Sequence, residues 1–310
     1  MIEITEKALR VFFSKAAPSC WGRALRLKNC RFPLVSMILA LLWLTLPIAS
    51  AGCTSFGGSG PLVDVMKKVP LDSTSFDYWC IEKLAEDEDL WGIYLKFRDE
   101  SLEANQLKDM EVRLSSVKHA AKTKGFDGSV GVFVGDFATK IIGRRLEDEG
   151  YQKTTYQATE IWTPQDGQGY ESVALRQGTI LTGDVENLKA CIDTIVDEQE
   201  YSLYEDPDIR LVADKLPEGV IVTINKAGSD ESYADLISYG KSYGKKDEGR
   251  LKLTAIYIFQ DSYAAGEARD EIENYLETRK FTDIKVEREG SFIRAKALIY
   301  ITDFAQTLAF

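Results

Sequence analysis

The sequence predicts an α+β protein in which antiparallel sheets carry helices packed on one face. Short segments rich in β-branched and aromatic residues, such as 129–134 and 251–259, lie between turn residues and are typical of strands. Other segments, such as 264–280, place apolar residues three and four positions apart, which is typical of helices with one buried face. The chain has 310 residues, 45% of them hydrophobic, and this supplies a core.

The strands and helices follow one another from residue 75 to the end of the chain. The strand pattern predicts β-strands over 75–81, 111–119, 129–134, 158–162, 171–175, 179–182, 220–224, 251–259, 282–288 and 291–302. The helical spacing predicts helices over 82–104, 137–149, 185–196, 208–215 and 264–280, with a weaker signal over 231–243.

Two passages repeat one order of elements, which suggests an internal duplication. A helix at 137–149 precedes strands 158–162 and 171–175, and a helix at 264–280 precedes strands 282–288 and 291–302. Each unit would then be an antiparallel sheet backed by helices. The alternation of strands and helices could instead form one continuous sheet.

The predicted organisation has four parts. Residues 1–52 form a signal peptide with a long n-region, and residues 53–69 a lipidated cysteine with a flexible, glycine-rich tether. A first α+β unit covers 70–215 and a second covers 216–310.

An uncharged, mostly apolar run precedes a cysteine and follows a basic segment. The junction Ser50-Ala51-Gly52-Cys53 is similar to the lipobox of bacterial lipoproteins, although Ser50 stands where leucine is usual. The resemblance implies cleavage before Cys53 and a lipid on its sulfur, which would anchor the chain to the outer side of a membrane. Residues 33–51 could alternatively stay as an uncleaved membrane anchor, because this length can span a bilayer.

The charge of the chain argues against nucleic acid as a partner. It has 38 basic and 49 acidic residues; seven basic and two acidic ones precede Cys53, so 31 and 47 remain and the net charge after cleavage is −16. A strongly negative surface repels phosphate backbones.

Few residues are suited to metal or redox chemistry. Beyond Cys53 the cysteines are Cys80 and Cys191, which could form a disulfide outside the cytoplasm or stay as buried thiols. His119 is the single histidine of the chain, and there is no CxxC motif. We therefore expect no metal site and no cofactor.

Two aspartates are predicted helix caps. Asp136 and Asp184 each follow a glycine at the end of a strand and precede a helix, so their carboxylates can accept hydrogen bonds from free helix amides. The acidic clusters 86–89 and 205–208 lack the spacing of a calcium loop and are interpreted as solvated helix starts.

No catalytic motif is present. A hydrolase centred on His119 would need a nucleophile and a carboxylate brought to that ring by the fold, and no GxSxG occurs. We therefore expect a protein without catalytic activity.

Residues 183–222 resemble a segment found in uncharacterised bacterial envelope lipoproteins. The matching pattern is a strand ending in Gly-Asp, a helix with an apolar stripe, Ser-Leu, Asp-Pro and Leu-Pro, carried here by Gly183, Asp184, Leu188, Ile192, Ser202, Leu203, Asp206, Pro207, Leu216 and Pro217. The resemblance implies a lipid-anchored extracytoplasmic α+β domain and assigns no activity.

These observations favour a binding or interaction protein of the bacterial envelope, anchored through Cys53, with a protein partner. Tyrosines 233, 239 and 243 lie among Ser, Gly and Asp; core or ordinary surface is the favoured interpretation, and a partner surface is the alternative. The alternative is a carrier of an apolar small molecule or lipid, which predicts a large interior pocket with aliphatic and aromatic lining.

Overall fold

Twelve strands form one antiparallel sheet in the part of the chain that the computed structural model describes, residues 60–125, 128–165, 171–197, 201–227, 233–246 and 249–308. The strands are β1 (Ser75–Trp79), β2 (Val117–Lys124), β3 (Ser129–Gly135), β4 (Gln152–Tyr156), β5 (Thr159–Thr163), β6 (Ser172–Arg176), β7 (Thr179–Gly183), β8 (Ile221–Lys226), β9 (Leu236–Lys246), β10 (Arg250–Phe259), β11 (Thr282–Glu289) and β12 (Phe292–Tyr300). Their order across the sheet is β11-β12-β10-β9-β8-β1-β2-β3-β7-β6-β5-β4.

Nine α-helices lie within the same described ranges, together with three short 3-10 turns. The helices are α1 (Pro61–Met66), α2 (Ile81–Glu86), α3 (Trp91–Glu100), α4 (Leu102–Asp109), α5 (Thr139–Asp148), α6 (Val185–Val196), α7 (Pro207–Lys215), α8 (Ser262–Thr278) and α9 (Ile301–Thr307). The α+β class and the antiparallel pairing are thus confirmed.

The sheet is continuous, and its two halves share one strand order. Strands β1 to β7 lie on one side and β8 to β12 on the other, joined where Tyr78 of β1 pairs with Val222 of β8. In the first half β1, β2 and β3 are neighbours, α5 follows β3, and the last strand, β7, pairs with β3. In the second half β8, β9 and β10 are neighbours, α8 follows β10, and the last strand, β12, pairs with β10. A duplication would produce this order; the duplication itself and the two unit boundaries stay predictions.

The helices pack against both faces of the sheet, not against one face as the sequence suggested. Face A, which carries Phe76 and Val222, is covered by α1, α6 and α7. Face B, which carries Trp79 and Ile221, is covered by α2 to α5, α8 and α9. The central strands have buried residues on both sides, and all five residues of β7 are buried, so neither face can be left to water.

The predicted flexible tether is wrong for residues 61–69. Helix α1 lies there, and its residues Leu62, Val63, Val65 and Met66 are buried in the core of face A. Proline at the first helical position favours the helix start, and four apolar side chains in six residues drive its docking.

Other boundaries differ for local reasons. The predicted helix over 82–104 is broken at Asp87 and Ser101, whose backbones are extended and whose side chains cap the following turns. The strand expected over 111–119 begins only at Val117, because α4 and a left-handed residue, Glu111, precede it. The weak helix signal is wrong for 236–243, because β9 lies there and alternates buried and half-buried residues. Strand β4 is polar and lies at the sheet edge, and the apolar pattern gave no sign of it.

Candidate functional site

Helix α4 packs on face B with polar side chains directed at the sheet. Glu103 is 4% exposed, and its carboxylate lies 3.0 Å from the ammonium of Lys122 on β2. Ser101 caps the helix by accepting a hydrogen bond from the Ala104 amide. A charged group this deeply buried is tolerated because it has an oppositely charged partner.

The next turn of α4 continues the polar contact. Gln106 donates from Nε2 to Oε2 of Glu171 at 2.5 Å and accepts at Oε1 from the Thr182 hydroxyl at 2.6 Å. Both ends of the Gln106 amide are therefore satisfied, which fixes its orientation. The helix is held to β7 and to the residue before β6 by hydrogen bonds as well as by apolar packing.

A cleft of about 160 Å³ opens beside this contact, between α4 and α5. Its lining combines polar and apolar side chains: Gln106, Asp109, Met110, Arg145, Leu146, Glu149, Tyr151, Glu171, Val173 and Thr182. A second cleft, of about 360 Å³, lies alongside and shares Met110 and Arg145 with the first. The two clefts thus follow the same side of α5, and we call the first one the α4–α5 cleft.

The α4–α5 cleft is acidic. Three carboxylates line it, those of Asp109, Glu149 and Glu171, against one guanidinium, that of Arg145. Arg145 is itself ion-paired with Glu111 outside the first cleft. Burial raises the pKa of Glu171, and the hydrogen bond from Gln106 opposes that rise. A cation entering the cleft would meet an excess of negative charge.

A further carboxyl group, that of Asp77, lies behind α4. Burial raises its pKa, a hydrogen bond with Thr223 and the charge of Lys122 lower it, and the charge of Glu103 raises it. Asp77 and Lys122 are paired residues on β1 and β2. The polar residues beneath α4 therefore extend from the α4–α5 cleft to the centre of the sheet.

We expect Asp77→Asn to change how stability depends on pH. Because the pKa of Asp77 is raised in the folded state, folding favours its protonated form, and the stability associated with that form is lost as pH rises above 3.8. The free energy of unfolding of the native protein should therefore fall relative to that of Asp77→Asn between about pH 4 and pH 7. Urea unfolding at several pH values measures this, with the exposed Asp148→Asn as control. If the free energy of unfolding of the native protein instead rises relative to that of Asp77→Asn over this pH range, the prediction is wrong.

His119 lacks the surroundings of a catalytic base. Its Nδ1 is hydrogen-bonded to the Tyr78 hydroxyl at 2.9 Å, and the two rings are stacked. Burial lowers the pKa of His119, so the imidazole is neutral near pH 7. Burial raises the pKa of the neighbouring thiol of Cys80, opposite to what a nucleophilic cysteine needs. Among the described residues no carboxylate is hydrogen-bonded to this histidine.

Cys80 and Cys191 are both buried free thiols in the core of face A, and they form no disulfide. Burial raises the pKa of Cys191 to about 12, which makes it an unreactive apolar side chain.

The two predicted caps differ. Asp184 accepts from the amides of Glu186 and Asn187 and caps α6. Asp136 does not cap α5, which begins after Ala138 without a side-chain cap. Its carboxylate instead lies 3.0 Å from the ammonium of Lys118, because two residues separate it from the helix start.

The acidic clusters lie at helix starts and form ion pairs. Asp87 caps a 3-10 turn and binds Lys245 at 2.6 Å, and Asp206 caps α7 and lies 2.9 Å from Lys226. Within the described ranges no group of three potential metal ligands is found.

The tyrosines at 233, 239 and 243 pack against the core of face B, which is the interpretation that the sequence favoured over a partner surface. Tyr239 and Tyr233 make ring contacts with the buried Tyr257, and Tyr243 contacts Phe304 at a ring distance of 4.5 Å. These tyrosines alternate along β9 or precede it, and they pack on face B.

The proposed cleavage and lipidation residues, Ser50, Ala51, Gly52 and Cys53, lie outside the described residues. No helix in the described part of the chain is long and apolar enough to cross a membrane.

Sequence reasoning missed the residues of the α4–α5 cleft. Gln106 and Glu171 are ordinary polar residues in the sequence, and their pairing across 65 positions gives no local signal. The one available sign was Glu103, a charged residue on the helix face that otherwise faces the core.

Comparison with known proteins gives a similarity of fold alone. Two crystal structures of TP0453, crystal forms IV and I, have TM-scores of 0.46 and 0.47 and are each 8% identical in sequence. They cover 78% and 80% of this chain, which covers 95% and 97% of theirs. No known protein family matches the sequence. No curated protein matches it either. Function has to be inferred from the residues themselves.

Proposed function

We propose that this is a lipid-anchored binding protein on the extracytoplasmic side of the bacterial envelope, which holds a small amine-bearing ligand in the α4–α5 cleft. The observation that carries the ligand class is the excess of carboxylates over cations in the cleft. The anchor rests on the lipobox-like sequence at Cys53. Catalysis is not part of the proposal.

The lining suits a short organic cation with an apolar body. Met110, Leu146 and Val173 supply apolar surface, while Glu171 supplies the charge. Its Oε2 accepts from Gln106, and no donor among the described residues binds its Oε1, which leaves that oxygen for a ligand ammonium group. A cavity of about 150 Å³ accepts a molecule the size of benzene, so the ligand has a similar size.

The geometry favours this ligand over the apolar cargo of a carrier. Both clefts beside α5 have charged residues in their walls, Arg145 in each. An apolar ligand would cover the Oε1 oxygen of Glu171, which no donor among the described residues binds, and burying an unpaired charge costs several kcal/mol.

The first experiment is native mass spectrometry of the protein extracted gently from its own membranes. The proposal expects a chain that begins at Cys53, carries a diacylglycerol and retains a small amine. A chain that keeps the residues before Cys53 would overturn the anchor. A retained fatty acid or other apolar molecule would overturn the ligand class.

A titration calorimetry experiment tests the site directly with butylammonium as the probe and butanol as its uncharged control. Glu171→Gln keeps the side-chain shape and should weaken butylammonium binding by roughly 10- to 150-fold, because a hydrogen bond to a charged group contributes about 1.5–3 kcal/mol. Binding to the native protein should strengthen as pH rises above 4.5, since the carboxylate form of Glu171 binds the cation. The exposed Glu271→Gln on α8 removes the same charge elsewhere and should change little. Equal binding of butanol, or equal losses in the two variants, would refute the site.

A further inference from the structure

A group of lysines lies on face A of four neighbouring strands, β9, β10, β12 and β11, the last of which is an edge strand of the sheet. These lysines are Lys246, Lys252, Lys285 and Lys296, and they line a groove of about 430 Å³ whose lining also includes Lys245, Asp283, Ala297 and Leu298; Lys245 is ion-paired with Asp87 and Asp89. Strand register places them on one face: Lys252 is opposite Leu298, and Lys296 is opposite Lys285. We call this surface the lysine groove.

The lysine groove has more lysines than carboxylates, although the protein as a whole has excess negative charge. Among the described residues Lys246, Lys252 and Lys296 have no carboxylate within ion-pair distance, while Lys285 is paired with Glu287 at 2.5 Å. Asp283 is the one acidic residue in the groove lining. Like charges directly opposite each other on neighbouring strands are destabilising, and the ion pair between Lys285 and Glu287 offsets that cost in part.

We propose that the lysine groove binds an extended acidic segment of a partner protein, with carboxylates at alternate positions. The groove crosses four strands, and three strand spacings amount to about 14 Å. In an extended chain, side chains on the same face repeat about every 6.6–6.8 Å, so residues i, i+2 and i+4 cover this span. Their carboxylates would face the unpaired lysines.

The surroundings favour a short peptide over a nucleic acid or another long polyanion. The groove lining has no aromatic side chain on which a base could stack. The whole chain has a net charge of −11, so a polyanion longer than the groove would be repelled by the rest of the surface. A peptide of five residues spans the groove without extending beyond its lysines.

The test uses fluorescence anisotropy of the full-length protein with a labelled Glu-Val-Glu-Val-Glu peptide as the probe. The double variant Lys252→Glu/Lys296→Glu should bind the peptide about tenfold more weakly or worse, with the difference shrinking at high salt. Its thermal midpoint should be equal to or above that of the native protein, because a glutamate at position 296 would face Lys285. Loss of binding together with retained stability is the expected combination.

The matched control is Lys108→Glu/Lys140→Glu, which makes the same change of charge at exposed lysines on α4 and α5. The control should keep peptide affinity within about threefold of the native value. Equal losses in both double variants would show general charge attraction and overturn the groove. Tighter, lysine-dependent binding of a short single-stranded DNA than of the peptide would overturn the partner class. Unchanged peptide binding in Lys252→Glu/Lys296→Glu would overturn the proposal entirely.

Discussion

Replacing Met66 by alanine is expected to lower the free energy of unfolding by about 2–5 kcal/mol, the usual cost of truncating a large buried side chain to alanine. Met66 is fully buried in the core of face A, although α1 has only six residues. Such a helix has little stability by itself, so its position depends on docking. Chemical unfolding monitored by circular dichroism measures the loss.

The control for Met66→Ala is Asp64→Ala on the same helix. Asp64 is exposed, and its removal should cost at most about 1 kcal/mol through its interaction with the helix N-terminus. If Met66→Ala costs no more than Asp64→Ala, then α1 does not pack on the sheet and residues 61–69 behave as the tether that the glycine-rich sequence suggested.

Replacing Lys122 by methionine is expected to lower the free energy of unfolding by about 3–5 kcal/mol, because removing one partner of a buried ion pair leaves the other charge unpaired. The remaining charge would be that of Glu103, which is 4% exposed on the side of α4 that faces the sheet. Asp77 lies close by and adds a second carboxyl group. Urea unfolding at about pH 7 measures the loss.

A second substitution separates the ion pair from simple loss of packing. Glu103→Leu in the background of Lys122→Met removes the unpaired carboxylate and should restore much of the lost stability, since buried ion pairs can often be replaced by apolar residues. A double variant no more stable than Lys122→Met alone would show that the lysine stem, and not its charge, stabilises α4.

The sequence predicted the class of the fold and most of its strands. Strands β3, β5, β7, β10 and β12 were found within about two residues, because their apolar residues lie between strong turn signals. Helix α8 was found for the same kind of reason, since its buried residues Ala268, Ile272 and Leu276 keep helical spacing. The polar edge strand β4 escaped detection, because four of its five residues are exposed and it therefore has no apolar pattern.

The broken helix region shows a different limit. Residues 82–104 read as one helix because Leu90, Tyr94 and Leu95 recur at helical spacing. In the structure the chain turns at Asp87 and Ser101, each of which uses its side chain to begin a new helical turn. Aspartate and serine favour caps over helix interiors, and that signal was weaker than the apolar periodicity.

The sequence by itself determined the acidic charge, the α+β class and the cap at Asp184, because each depends on neighbouring residues or on composition. The tertiary structure alone decided that one sheet carries helices on both faces and that α1 is part of the core. It also decided which polar residues meet. Gln106 reaches Glu171, and Lys285 faces Lys296, through strand order and register. Those contacts join residues far apart in the chain, and no local spacing encodes them.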